Sequence, residues 1–226
     1  MYIKKITSRI LFVLLFTSIS KATVNDSQIW TLLTVQGKIT PESQFGAYLE
    51  LQPRYSENSK DMFETLWRPA LFYKTENSGS FFLGYLQRFN SDNKQIELRY
   101  WTQWLNRYSF EDRDVTVRVR LEQRDVNNFD KESMRARLMV RAVEKSIVVA
   151  GANPFGFVEL FQNLNSVRAP GNGADSGFQQ SRLILGLTRN FDNISADIGY
   201  LKNYIDISSA GIQDNNALFL ALGYNF

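Results

Sequence analysis

Arg118, Arg120, Glu122 and Arg124 recur at every second position, and after a polar turn Arg135, Arg137 and Arg141 follow in the same way. A guanidinium group is a planar fork of donors that grips carboxylate or phosphate through two parallel hydrogen bonds. So dense an array can do one of two things. Matched with carboxylates across neighbouring strands, it forms a fixed ionic lattice, in which Glu122 would bridge adjacent guanidinium groups. Left in excess, it lines an anion-selective pore or small-ligand passage. The same phase selects Glu50, Arg54, Arg68, Arg88, Glu97, Arg99, Glu159, Arg182 and Asp197 as companions on one face.

The chain contains no His and no Cys, so it has no Ser-His or Cys-His nucleophile pair and lacks the usual zinc ligands. Glu97 and Glu122 are the remaining candidates for paired-carboxylate chemistry. Both lie among arginines, which makes them ion-pair partners rather than proton donors. No catalytic residue, metal or cofactor is expected.

The elements that must carry these residues are strands. Val115, Val117, Val119 and Leu121 occupy the positions between the charges, and Ala136, Leu138, Val140 and Ala142 do so on the next stretch, a period of two. Similar runs cover Ile29–Lys38, Phe45–Arg54, Leu66–Lys74, Phe81–Phe89, Ile96–Trp104, Asp114–Arg124, Met134–Ala142, Ser146 to roughly Phe161 with an interruption near Asn153-Pro154, Arg182–Arg189, Ile194–Tyr204 and Ala217–Phe226. Turn residues separate them, as at Ser91-Asp-Asn93, Asn127-Asn128 and Asp192-Asn193, so consecutive strands should pair antiparallel. No helical period is present. The connection at about 163–177, with Pro170-Gly-Asn-Gly173, has the length of a loop that is usually either functional or disordered.

Met1–Ala22 reads as a cleaved signal peptide: Lys4, Lys5 and Arg9, then apolar Ile10–Phe16, then Ser20-Lys-Ala22. Its loss leaves 22 basic against 23 acidic residues. The sequence pI of about 9.0 therefore belongs mostly to the precursor, and no nucleic-acid partner is inferred. Residues 23–226 form one expected domain.

Two environments suit the alternation. In a membrane barrel the apolar face meets lipid and the charged face the lumen; in a soluble exported, lipocalin-like binding barrel the apolar face would form the core. The last stretch favours the membrane. Leu218, Leu220, Leu222, Tyr224 and Phe226 share a face, and this resembles the C-terminal signature of bacterial outer-membrane barrels, which the barrel assembly machinery reads. Aromatic residues near run ends (Trp67, Tyr73, Phe89, Trp104, Phe191, Tyr204) suit interfacial girdles. The expected fold is an all-β, antiparallel up-and-down transmembrane β-barrel. Eleven runs are visible, but bacterial single-chain barrels have even strand numbers, so ten or twelve strands are expected, with twelve favoured.

The order of motifs resembles a family of bacterial outer-membrane proteins, domain of unknown function 2490. The resemblance runs through Trp30, Arg68-Pro69, Gly84-Tyr85 and Glu97-Leu-Arg-Tyr-Trp-Thr-Gln103. It continues with Arg118-Val-Arg-Leu-Glu-Gln-Arg124 followed by Arg135-Ala-Arg137, then Glu159-Leu-Phe161, Gln179-Gln-Ser-Arg182 and Gly199-Tyr200. Two departures stand out: a His expected before the last strand is absent, and Ser181 stands where Asn is frequent. The resemblance implies a barrel in the outer membrane and no particular activity. The partners implied are outer-membrane lipid and lipopolysaccharide, with periplasmic chaperones and the assembly machinery during biogenesis, for a monomer.

Overall fold

A computed structural model describes residues 24–55, 62–76, 79–168, 173–207 and 211–226. The expected signal peptide lies outside the described residues. Eleven strands of 11–15 residues account for most of the described chain: β1 (Val24–Lys38), β2 (Phe45–Tyr55), β3 (Met62–Lys74), β4 (Gly79–Asn90), β5 (Gln95–Ser109), β6 (Arg113–Val126), β7 (Ser133–Glu144), β8 (Asn153–Asn163), β9 (Gly177–Phe191), β10 (Ile194–Ile207) and β11 (Gly211–Asn225). Each pairs with its sequence neighbours, and β1 pairs with β11 to close a barrel. Among the described residues there is no helix.

The strand count corrects the expectation of ten or twelve. An even number is required only if every neighbouring pair is antiparallel. Here β1 runs parallel to β11, with Val24 opposite Gln213 through Gln36 opposite Asn225, and that one parallel seam closes an odd number. Two boundaries also differ. Ser146–Ala152 is not strand: Val149 and Ala152 form an isolated bridge, and Ala150 and Gly151 turn the chain at φ 51° and 78°. β10 and β11 also extend beyond the expected runs Ile194–Tyr204 and Ala217–Phe226, to Ile207 and from Gly211. The expected turns do occur. Asn93, Asn128 and Asp192 hold φ of 58°, 70° and 49°, a left-handed conformation that Asn and Asp tolerate.

The barrel is apolar outside and charged within. Leu71 and Leu83 are 62% and 66% exposed on the outer face, and Leu49, Leu121, Leu138, Leu185, Ile198, Leu218 and Leu222 are exposed with them. Facing inward and buried are Glu50, Glu97, Arg120, Glu122, Arg135 and Glu159. Every strand alternates, so a single choice of face holds around the sheet. Near the mouth that holds Phe226, Phe45 pairs with Tyr73, Tyr73 with Phe81, and Phe81 with Trp104, a row of outward aromatic residues across four strands.

At the opposite mouth the connection between β8 and β9 is tied to the one between β6 and β7. The Asp130 amide donates to the Arg168 carbonyl at 2.9 Å, and the Arg168 amide to Asp130 Oδ1 at 2.8 Å. Asn165 accepts from the Met134 amide and donates to the Glu132 carbonyl, while Val167, bridged to Ala174, is buried beneath. This end is called the loop mouth below.

Candidate functional site

Two-residue periodicity puts every selected charge on the inner wall, and register then decides which ones meet. Glu122 on β6 lies opposite Arg135 on β7, and Glu159 on β8 opposite Arg182 on β9. Arg135 donates through Nη2 and Nε to Glu122 Oε2 at 2.5 and 2.9 Å, and Arg137 Nη1 donates to Glu122 Oε1 at 2.5 Å. Arg99 and Arg120 stand 3.6 and 3.7 Å from the same carboxylate. Glu122 therefore serves four guanidinium groups rather than two. Glu159 Oε1 accepts from Arg118 at 2.5 Å and from Arg137 at 2.6 and 2.9 Å, and Arg182 stands 3.5 Å from Oε2. Glu97 accepts from Arg99 and Arg124 at 2.5 and 2.6 Å, with Arg88 at 3.4 Å.

These pairs join into one continuous ionic chain, Arg54–Glu64–Arg88–Glu97–Arg99–Glu122–Arg137–Glu159, crossing from β2 to β8 and reaching Arg182 on β9. Two pairs stand apart. Arg68 bonds Glu50, which also accepts from the Tyr48 hydroxyl. Arg141 on β7 reaches Asp197 on β10 at 3.0 Å across the lumen. All sixteen charges selected from the sequence lie on the inner face, and each touches at least one other of the lattice.

Sequence reasoning missed Glu64. It is buried and holds Arg54 on one oxygen and Arg88 on the other, the latter at 2.5 Å. The expected third strand began at Leu66, yet Glu64, Leu66 and Arg68 share one parity, which was the available signal. Also missed were the aromatic residues within the lumen. Arg54 stacks 3.7 Å over the Trp30 ring, Arg120 4.4 Å over Trp101, and Arg137 and Arg182 4.5 and 4.6 Å over Phe161. Such contacts favour a guanidinium most where water is excluded. Gly84 makes room for one of these rings: a Cβ there would lie 2.7 Å from the Trp101 indole and 2.5 Å from the Pro69 carbonyl oxygen. Neutral amides complete the wall. Gln103 Oε1 accepts from Arg120 at 2.6 and 2.9 Å, and Asn203 Oδ1 from Arg182 at 3.2 Å.

The filled lumen is divided. An upper chamber of about 250 Å³ lies toward the loop mouth and a lower one of about 170 Å³ toward the other end. Trp30, Arg68, Arg137 and Arg182 line both and form the partition between them. Among the described residues no cluster of His, Cys, Asp and Glu could hold a metal ion. The lattice can hold the wall rigid and can bind anions; its carboxylates are all engaged by arginine.

The sequence matches the family model described as Protein of unknown function (DUF2490) over residues 27–225. It is similar to an uncharacterized protein of Methylorubrum extorquens, 28% identical over 206 residues, covering 88% of this chain and 87% of the relative.

Proposed function

Because the chain belongs to the family described as Protein of unknown function (DUF2490), which offers no activity to inherit, we propose from its architecture that it is a bacterial outer-membrane β-barrel whose lumen is closed by the arginine–glutamate lattice. Its task in this reading is structural, without catalysis or open conduction.

The observation that carries the proposal is the inversion of the wall, with large apolar side chains exposed around the outside and paired charges within. A soluble binding barrel needs the reverse, since exposed apolar patches beyond a few hundred Å² are rare on soluble monomers. Strands of 11–15 residues reach or exceed the 9–11 or so needed to cross a bilayer when tilted. The outward row Phe45, Tyr73, Phe81 and Trp104 suits an interfacial girdle. The partition of Trp30, Arg68, Arg137 and Arg182 favours a plug over a channel.

Export would follow from the 1–22 segment, and assembly from recognition of Leu218, Leu220, Leu222, Tyr224 and Phe226 on β11. The mouth holding Phe226 then faces the periplasm and the loop mouth faces outward.

The test is outer-membrane fractionation with heat-modifiable migration on a gel, followed by reconstitution in a planar bilayer. Recovery in the outer membrane, a faster-migrating unheated form and no single-channel conductance are expected. A soluble periplasmic protein would refute the membrane reading. A stable, anion-preferring conductance would refute closure and favour an anion-selective pore.

A further inference from the structure

The lattice is short of carboxylates, and the shortfall is concentrated. Eleven lumen arginines face six carboxylates among the described residues, and eight of those arginines line the upper chamber. Among the described residues only one carboxylate, Glu64, lines it with them, and both of its oxygens are already engaged by Arg54 and Arg88. Buried charge of one sign is costly unless opposite charge accompanies it.

Buried donors beside it lack partners. The Nε–H groups of Arg54 and Arg68 have no acceptor among the described residues, and both side chains line the chamber. Arg182 enters it 3.5 Å from its one carboxylate among the described residues, Glu159; its other bonds go to neutral amides, Asn203 at 3.2 Å and the Gln180 amide oxygen at 3.0 and 3.1 Å. A guanidinium fork matches the geometry of an oxyanion better than that of a halide, because two donors converge on two oxygens.

Among the described residues a route leads to the chamber. A second cavity of about 760 Å³, lined by residues of the β6–β7 connection and by Ala174–Phe178, shares Arg88, Arg124, Gln179 and Ile205 with it. The sheet is closed all round, so entry from the side is barred and the loop mouth is the approach. At about 250 Å³ the chamber lies just below the usual size range of ligand pockets, which suits a compact solute.

We propose that the upper chamber is a binding site for a small, multiply charged oxyanion of the phosphate class, taken up as a free solute through the loop mouth. The site rests on the lattice geometry and not on where the barrel resides, so it fails or stands separately from the membrane reading.

The experiment is calorimetric titration of the purified chain in detergent with inorganic phosphate, against chloride at matched ionic strength. Saturable one-site binding of phosphate is expected, with a melting temperature that rises with phosphate concentration and not with chloride. Arg182→Gln and Arg68→Gln should each weaken binding at least tenfold. Arg189→Gln, on the outer face beside Phe191, should leave it unchanged. Should either lumen variant fail to fold, phosphorus NMR line broadening of phosphate by the wild-type chain, reversed by excess pyrophosphate, gives the same reading. Absence of saturable phosphate binding would overturn the proposal, as would equal weakening by Arg189→Gln. Binding of short-chain phosphatidic acid without binding of inorganic phosphate would overturn uptake as a free solute.

Discussion

Glu122→Ala is the sharpest perturbation of the lattice. The carboxylate is 1% exposed and stands within 3.7 Å of four guanidinium groups, two of which donate to it at 2.5 Å. Its removal leaves Arg135 without its charged partner and Arg137 with Glu159 alone. Breaking a buried pair by deleting one member costs about 3–5 kcal/mol. For a chain of this size, roughly 2–4 °C of melting temperature accompanies each kcal/mol, so a fall on the order of 6–20 °C is expected. Arg120→Ala is the control. Arg120 is equally buried, but its close bonds go to neutral Gln103 and it stands 3.7 Å from Glu122. Its loss removes hydrogen bonds worth about 1.5–3 kcal/mol and lowers an excess of positive charge. Thermal unfolding in detergent, followed by circular dichroism, compares the two. A Glu122→Ala melting point within about 2 °C of wild type, or an Arg120→Ala variant at least as damaged, would refute the argument that carboxylates limit the lattice.

Glu64→Ala should destabilise the barrel by about 3 kcal/mol or more, since Arg54 and Arg88 both lose a partner in a chamber already rich in arginine. Glu64→Gln should recover only part of this in the same melt. Phe226 donates its amide to the Gln36 carbonyl at 3.0 Å, and its ring lies over Gly37, across the β1–β11 seam. Phe226→Asp should therefore lower the yield of heat-modifiable barrel in the membrane fraction while leaving the melting point of the assembled fraction close to wild type. Full yield from that variant would refute a role for this residue in closure and assembly.

The inner face was legible in the sequence because its period is two and its residues are charged. Once the sign of one face is set at Arg118, Arg120, Glu122 and Arg124, parity carries the assignment along each strand. Parity gives no strand ends: β3 starts at Met62 and takes in Glu64 ahead of the run that begins at Leu66, and β8 starts only at Asn153, after Ser146–Ala152. An apolar side chain does not itself say whether it faces outward or into the lumen. Phe82 and Leu86, beside outward Phe81 and Leu83, point inward with Trp101, and on their own strand only Arg88 marks that side as the charged one; Leu86 opposite Arg99 agrees with it. Eleven runs are visible in the sequence; the even number that fully antiparallel closure demands does not apply, because the β1–β11 seam is parallel.

That seam also limits how the chain could be rearranged. In a barrel of paired hairpins the outer ends of the first and last strands share a mouth, and a few residues suffice to join them. Here Val24 lies beside Gln213, twelve positions along β11 from Asn225, or roughly 40 Å of strand at ~3.3 Å per residue. A covalent link between these ends would have to travel the height of the wall, through a lumen packed with ion pairs or across an apolar outer face. Circular permutation by a short linker is thus closed to this fold. Nor can repetition of a hairpin unit alone generate it, since one strand always remains over.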